Sequence, residues 1–349
     1  MYLLYSHCIP VKGAVRSVIC DLQQGIYYFI PNDLYEILIE NRVLDRDLLI
    51  QQFGDDNAAA INDYLLLLNK NEGIFEIDDH EDAKLFPKLS LDFDEPSIVD
   101  NAIIDVENDF DNLINVLPEL EKLGCMGILI RVLKPVSEDK LTELINLFEL
   151  SSIQHVEILI SQKSSFDVDF IKKIFRSHLR LNLITVFNAP TSGQTEIYMN
   201  EDQKMKPIGV YNELTESFNI QGHCPAISPE TFVLNLKFFS ESQSFNNCLN
   251  KKVSISANGD IKNCPSITRV FGNIKNTSIM DAISDESFQE LWMVKKDSIE
   301  ICKDCEFRYI CSDCRASTEK YKKPSGCSYD PYTARWLEGS LNSTFKKNS

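Results

Sequence analysis

The residue pattern along this chain falls into three successive stretches, and each predicts a different kind of structure. Val15–Leu22 and Ile26–Ile30 are β-branched and aromatic runs separated by Gln23-Gln24-Gly25, the pattern of a hairpin with glycine in its turn. Asn32 or Asp33 then stands where it can cap a helix starting near Leu34, with Tyr35, Leu38 and Ile39 on one face. Two further helices are predicted, one after Asp45 with Leu48, Leu49 and Phe53, and one from about Asn57 through Ile61, Tyr64, Leu65 and Leu68. Asn71-Glu72-Gly73 stops the third helix, and Ile74–Ile77 returns as a short strand. Residues 1–80 therefore read as a small α+β unit, and the hairpin Val15–Ile30 offers a sheet edge to an added strand.

The second pattern begins after an acidic stretch, Asp78–Asp100, which carries Pro87 and Pro96 and marks a domain boundary. From about residue 101 the chain alternates continuous apolar runs with helical ones. Ile128–Leu133, Val156–Ile160 and Leu181–Phe187 are the strands. Between them, Ser137 caps a helix bearing Leu141, Leu144, Ile145 and Phe148, and Val168–Phe175 forms another. Apolar strands separated by helices indicate βαβ units and a parallel sheet covered on both faces, so residues 101–240 are read as α/β. Residues 110–220 have room for part of a (βα) barrel and not for eight repeats.

The third pattern is set by cysteine. Val253–Ser256 alternates as a strand, Asn258-Gly259 is a two-residue hairpin turn, and Asp260–Asn263 pairs back toward Cys264. A helix over Asp281–Trp292 follows. Next comes CKDCEFRYICSDC, which places Cys302, Cys305, Cys311 and Cys314 at C-x2-C-x5-C-x2-C. With Cys248, Cys264 and Cys327, seven of the eleven cysteines fall between residues 248 and 327. Paired thiols at this spacing gather round a metal centre from tight turns. One tetrahedral zinc on Cys302, Cys305, Cys311 and Cys314 is one outcome, a zinc-binding peptide-recognition adaptor without catalysis, but it leaves Cys248, Cys264 and Cys327 without a shared purpose. By contrast Cys8, Cys20 and Cys125 read as small buried apolar residues, and His7, His80, His155 and His178 stand in no ligand spacing.

Composition narrows the function. A net charge of −17 over 349 residues opposes nucleic-acid binding, which needs a basic face. No apolar run approaches the roughly 20 residues that span a bilayer, and MYLLYSHCIPVKG has no signal-peptide pattern. The expectation is a cytoplasmic protein whose reduced thiols bind metal. No phosphate-binding, nucleophile-elbow or dinucleotide glycine motif occurs.

The order Cys248, Gly259, Cys264, then Cys302, Cys305, Cys311, Cys314, then Cys327, resembles the SPASM domain of radical SAM peptide and protein maturases. Seven cysteines and the turn glycine in this order carry that resemblance, and the phrases NKKVSISANGDIKNCPS, IEICKDCEFRYICSDCRA and KPSGCSYDPYT carry a closer one, to grasp-with-spasm maturases. Two departures stand out: the quartet closes with C-x2-C where the family usually has C-x3-C, and no C-x3-C-x2-C triplet occurs anywhere in the chain. A SPASM region without that triplet resembles the maturase of grasp-with-spasm systems, which work with an ATP-grasp ligase on a ribosomally made precursor peptide. The resemblance implies two [4Fe-4S] clusters and no S-adenosylmethionine (SAM) cleavage. It implies Cys302, Cys305, Cys311 and Cys327 on one cluster and Cys248, Cys264 and Cys314 on the other, with Cys224 as candidate fourth ligand. By architecture it implies a degenerate partial radical SAM barrel at 101–240 and a SPASM domain at 245–340, while the hairpin and three helices of 1–80 resemble both the winged-helix-like leader-binding unit of peptide-modifying systems and any small winged-helix or regulatory domain. The precursor's leader and core segments and the ligase are the implied partners; catalytic residues, and whether the chain is itself an enzyme, are left open.

Overall fold

The computed structural model describes residues 1–107, 109–162, 166–200, 206–219, 227–315 and 318–337. The chain packs as two compact units, each built from separate stretches. The first comprises Met1–Asp94, Pro225–Cys248 and Met293–Ser349; the second comprises Glu95–Cys224 and Leu249–Trp292.

In the first unit, strands β1 (Tyr2–Leu4), β2 (Cys8–Val11), β3 (Ser17–Asp21) and β4 (Ile26–Ile30) lead to helix α1 (Asn32–Glu40). Strand β5 (Val43–Leu44), helices α2 (Arg46–Phe53) and α3 (Ala58–Lys70), and strand β6 (Ile74–Glu76) follow. The hairpin and all three helices form where the apolar period places them. Asp45 caps α2, accepting from the backbone N–H groups of Asp47 (3.0 Å) and Leu48 (3.2 Å). Asn32 does not cap α1: it is the first helical residue, and its Oδ1 accepts from Ser17 Oγ at 2.7 Å. Its amide nitrogen donates to the carbonyls of Gly13 and Ala14, so the side chain pins the β2–β3 loop instead of the helix end. The strand β2 was not legible in the pattern, and it changes the hairpin's position. β3 is the middle of an antiparallel β2-β3-β4 sheet, buried along its whole length, and the open edges belong to β2 and β4.

The second unit is a mixed eight-stranded sheet. Strands β7 (Asn101–Val106), β8 (Gly127–Val132), β9 (His155–Ile160) and β10 (Leu181–Val186) lie side by side in chain order. Helices α4 (Asp111–Lys122), α5 (Glu138–Asn146) and α6 (Val168–Ser177) connect them, and every one of these strand pairs is parallel. Strands taken in order through βα repeats give the winding of a (βα) barrel, here an open sheet. At one side β12 (Gly209–Glu213) pairs parallel to β10, and β11 (Gly193–Ile197) closes that edge antiparallel. At the other side β13 (Lys252–Ile255) pairs parallel to β7 and antiparallel to β14 (Ile261–Lys262). β7 thus takes a partner from far along the chain, and Gly259 (φ 90°) turns that partner, β13, back into β14. The predicted helix over Asp281–Trp292 is two short ones, Ile279–Ser284 and Glu286–Gln289. Asp285 between them is extended and caps the second through Ser287. The protein is α/β. Among the described residues, no helix is long and apolar enough to cross a membrane.

Within this sheet Arg131 and Asp105, opposite one another on β8 and β7, form a bidentate pair at 2.6 and 2.8 Å, both nearly sealed from solvent. The one charge interrupting the apolar β8 run therefore meets its counter-charge on the next strand.

Candidate metal centre

The quartet loop is built by tight turns and not by regular structure. Ile301 adopts a left-handed φ of 69°, which turns the chain into a single 3-10 turn over Cys302–Asp304. Cys305 N–H donates to the Cys302 carbonyl at 3.0 Å, and Cys311 N–H to the Phe307 carbonyl at 3.0 Å. Between these turns Phe307 and Ile310 point into an apolar cluster with Phe239 and Tyr329. Val11, Val18, Cys20 and Leu22 of the N-terminal sheet complete that cluster, against which Cys305, Cys311 and Cys327 pack. The loop that carries the thiols is therefore seated on the β2-β3-β4 sheet, within one unit.

Cys302, Cys305 and Cys311 lie within electrostatic reach of one another, and Cys327 within reach of Cys302 and Cys311, although no three of these sulfurs come within 4.8 Å of one another. Burial, above all, pushes the thiols of Cys302 and Cys311 up to about 12, with Asp313 and Cys327 adding to it. Cys305 is held well above its ordinary range and Cys327 is raised, again chiefly by burial. Two cations work the other way: Lys296 and Arg315 both favour the thiolate of Cys302, and Lys296 that of Cys311. Metal binding must displace these protons, and a thiolate-ligated cluster brings the charge that Lys296 and Arg315 are placed to offset.

The surrounding polar groups fix the loop. Arg315, fully buried, donates to Asp313 Oδ1 at 3.1 and 2.7 Å and to the carbonyl of Lys322 at 2.8 Å. Asn246 Nδ2 donates to Asp313 Oδ2 at 2.9 Å, tying the loop to the residues just before Cys248. Arg308 donates to the Cys305 carbonyl at 3.0 Å and to Asp297 at 3.2 Å. Lys303 is exposed. Lys296 has no signal in the pattern; it lies six residues before Cys302 and is nearly sealed in the fold. Glu306, also buried, receives Arg16 at 2.9 Å and the Tyr329 hydroxyl.

Two of the other predicted ligands lie in the first unit and one in the second. Cys314 and Cys248 are half-buried in the first unit, and Cys248 N–H donates to Asn246 Oδ1 at 3.1 Å. Cys264 follows β14 and is buried in the core of the second unit. Cys224 lies outside the described residues. Cys20 and Cys125 are buried apolar positions, as their setting in the chain indicates.

Residues 247–306 match the SPASM family, an iron–sulfur cluster-binding domain. No curated protein matches the chain. Among solved structures, Streptococcus suis SuiB bound to precursor peptide SuiA is similar over 94% of this chain and 100% of that one, at 11% identity and a TM-score of 0.31. Of the predicted ligands, Cys248, Cys264, Cys302 and Cys305 lie inside the residues that match this iron–sulfur cluster-binding domain, and Cys311, Cys314 and Cys327 lie beyond them.

Proposed function

We propose that this protein is the iron–sulfur component of a peptide-maturation system, acting on a ribosomally made precursor with an ATP-grasp ligase. The observation that carries the reading is the match of residues 247–306 to an iron–sulfur cluster-binding domain that contains Cys302 and Cys305, with Cys311 and Cys327 packed against the same apolar cluster as Cys305. These four would hold one [4Fe-4S] cluster. Cys248, Cys264 and Cys314 would hold a second, an assignment carried over from the resemblance of the cysteine order to SPASM proteins. Soft sulfur donors suit iron in such clusters, and the low-dielectric setting of the first four favours loading all of them together. Residues 1–80 would hold the precursor's leader, and bond formation would belong to the ligase. The chain has no C-x3-C-x2-C triplet, so no SAM cleavage of its own is assigned to it.

Two measurements test this. Anaerobically purified protein should be brown, with iron and sulfide in about equal amounts; colourless protein containing zinc overturns the cluster assignment. The precursor peptide encoded with it should change mass when this protein, the ligase and ATP are all present. Full modification in its absence overturns the role.

A further inference from the structure

Three donor side chains of different chemistry, none of them a predicted cluster ligand, meet at the base of the β2–β3 hairpin. A His7 ring nitrogen, Cys8 Sγ and a carboxylate oxygen of Asp21 all lie within 4.8 Å of one another, the one such set of three among the described residues. The fold puts them there by register. Cys8 stands directly opposite Asp21, and the Leu22 N–H donates to the His7 carbonyl at 3.0 Å, so the residue before β2 is held as firmly as the strand.

Asp21 is wholly buried. Its Oδ1 accepts the backbone N–H groups of Gln23 (2.9 Å) and Gln24 (2.7 Å), which turns Oδ2 toward the other two donors. His7 Nε2 is 3.7 Å from Oδ2 and Cys8 Sγ is 3.8 Å from it. The first is too long for a charge-assisted hydrogen bond, about 2.7–2.9 Å. Both are close to the edges, about 3.3–3.6 Å, of a tetrahedron whose metal–ligand bonds are 2.0–2.3 Å. The Tyr5 ring stacks on the imidazole with centroids 5.3 Å apart and so fixes its plane. His7 is a quarter exposed while Asp21 is sealed, so the group opens to solvent on the imidazole side.

We propose that His7, Cys8 and Asp21 bind one divalent transition ion of the zinc class, leaving a fourth position on the solvent side for water or a ligand. A thiolate, an imidazole and a carboxylate together select such an ion over magnesium or calcium, which take all-oxygen shells. The ion would neutralise the buried Asp21 charge and clasp the hairpin's base to the segment after β1, independently of any iron–sulfur centre.

Cobalt(II) is the probe. Full-length wild type and His7→Ala, matched for iron content, are titrated anaerobically with Co²⁺ and read for thiolate-to-cobalt charge transfer and for metal retained after desalting. Wild type should take one equivalent more than His7→Ala, whose partly exposed position lets the variant fold. Asp21→Asn, which keeps the turn acceptor, should weaken binding at least tenfold, and Cys8→Ser should remove the charge-transfer band. Equal uptake and equal spectra in wild type and His7→Ala, or no cobalt bound at micromolar concentration by either, overturn the site. Because the comparison is made at matched iron, its failure is separate from failure of the cluster assignment.

Discussion

Arg16 and Glu306 are 290 positions apart in the chain and form one ion pair: Arg16 Nε donates to Glu306 Oε1 at 2.9 Å, with Glu306 nearly sealed and Arg16 about a third exposed. The guanidinium also lies 3.4 Å from the Phe29 ring centre, and the Tyr329 hydroxyl donates to the same carboxylate oxygen. The N-terminal sheet and the thiol loop are thus joined by a buried charge that neither segment could keep alone.

Removing the cation strands that charge. Arg16→Met should cost about 2–3 kcal/mol, below the usual 3–5 for a buried pair because Arg16 is partly solvated. Glu306→Gln should cost less, since it keeps an acceptor and removes the charge. Urea unfolding followed by Trp336 fluorescence, from the same apolar cluster, measures both. Equal effects of the two variants would mean that packing, not charge, holds the contact.

Gly13 is the closest point of this clasp. A Cβ there would fall 2.3 Å from the Arg16 carbonyl and 2.9 Å from Glu306 Cβ, both too close to keep. Gly13→Ala should lose about 1–3 kcal/mol by overpacking and should speed the loss of iron to a chelator. Unchanged melting together with unchanged iron release would show that the loop yields at no cost.

Cluster occupancy should follow the coupled thiols. Cys302→Ala or Cys327→Ala should remove about half the iron, and Cys248→Ala the other half, as measured by iron and sulfide analysis of anaerobic protein. Equal losses from all three variants would defeat the division into two sets.

How much of this was legible beforehand follows from which forces are local. The three N-terminal helices, the βα repeats and the 253–263 hairpin are written in apolar period and turn residues, and they form where those place them. Cysteine spacing likewise gave the quartet. What spacing could not give is partnership across the chain: Glu306 with Arg16, Asp313 with Asn246, and Lys296 beside Cys302 and Cys311. Nothing local requires those residues to be charged or polar. Asn32 went astray for the same reason, because its better hydrogen-bond partner was Ser17 on a strand and not its own helix. His7 stands in no ligand spacing because Asp21, its neighbour in space, is 14 positions away, across a hairpin whose first strand has no clear alternation.

Alkaline pH should destabilise the metal-free protein through thiols that play no part in the quartet. Burial, first of all, pushes Cys20 and Cys125 from an ordinary 9.0 up to about 12. Between those values the unfolded chain has released protons that the folded chain retains. Stability is therefore intact below about pH 9 and falls as pH rises, by about 1.4 kcal/mol per pH unit for each thiol. Cys20→Ala and Cys125→Ala should each melt lower at pH 8, yet lose less Tm between pH 8 and roughly pH 10.5. Slopes identical to wild type would show that these thiols ionise alike in both states.

The apolar cluster shared by Val18, Cys20, Phe307 and Tyr329 also dictates an order of events at the ribosome. Residues 1–94 can form their helices and the other face of their core as they emerge, but the Val18–Cys20 side stays uncovered until Phe307 and Tyr329 are made. At synthesis rates of 5–20 residues per second, those 290 intervening positions take on the order of 15–60 seconds. Through that interval the nascent chain carries an open apolar face and lacks Cys302, Cys305, Cys311 and Cys327, so cluster insertion and closure of the N-terminal core are late steps of one process. A chain starved of iron during synthesis should therefore accumulate as a chaperone-bound species, with its N-terminal sheet accessible to protease.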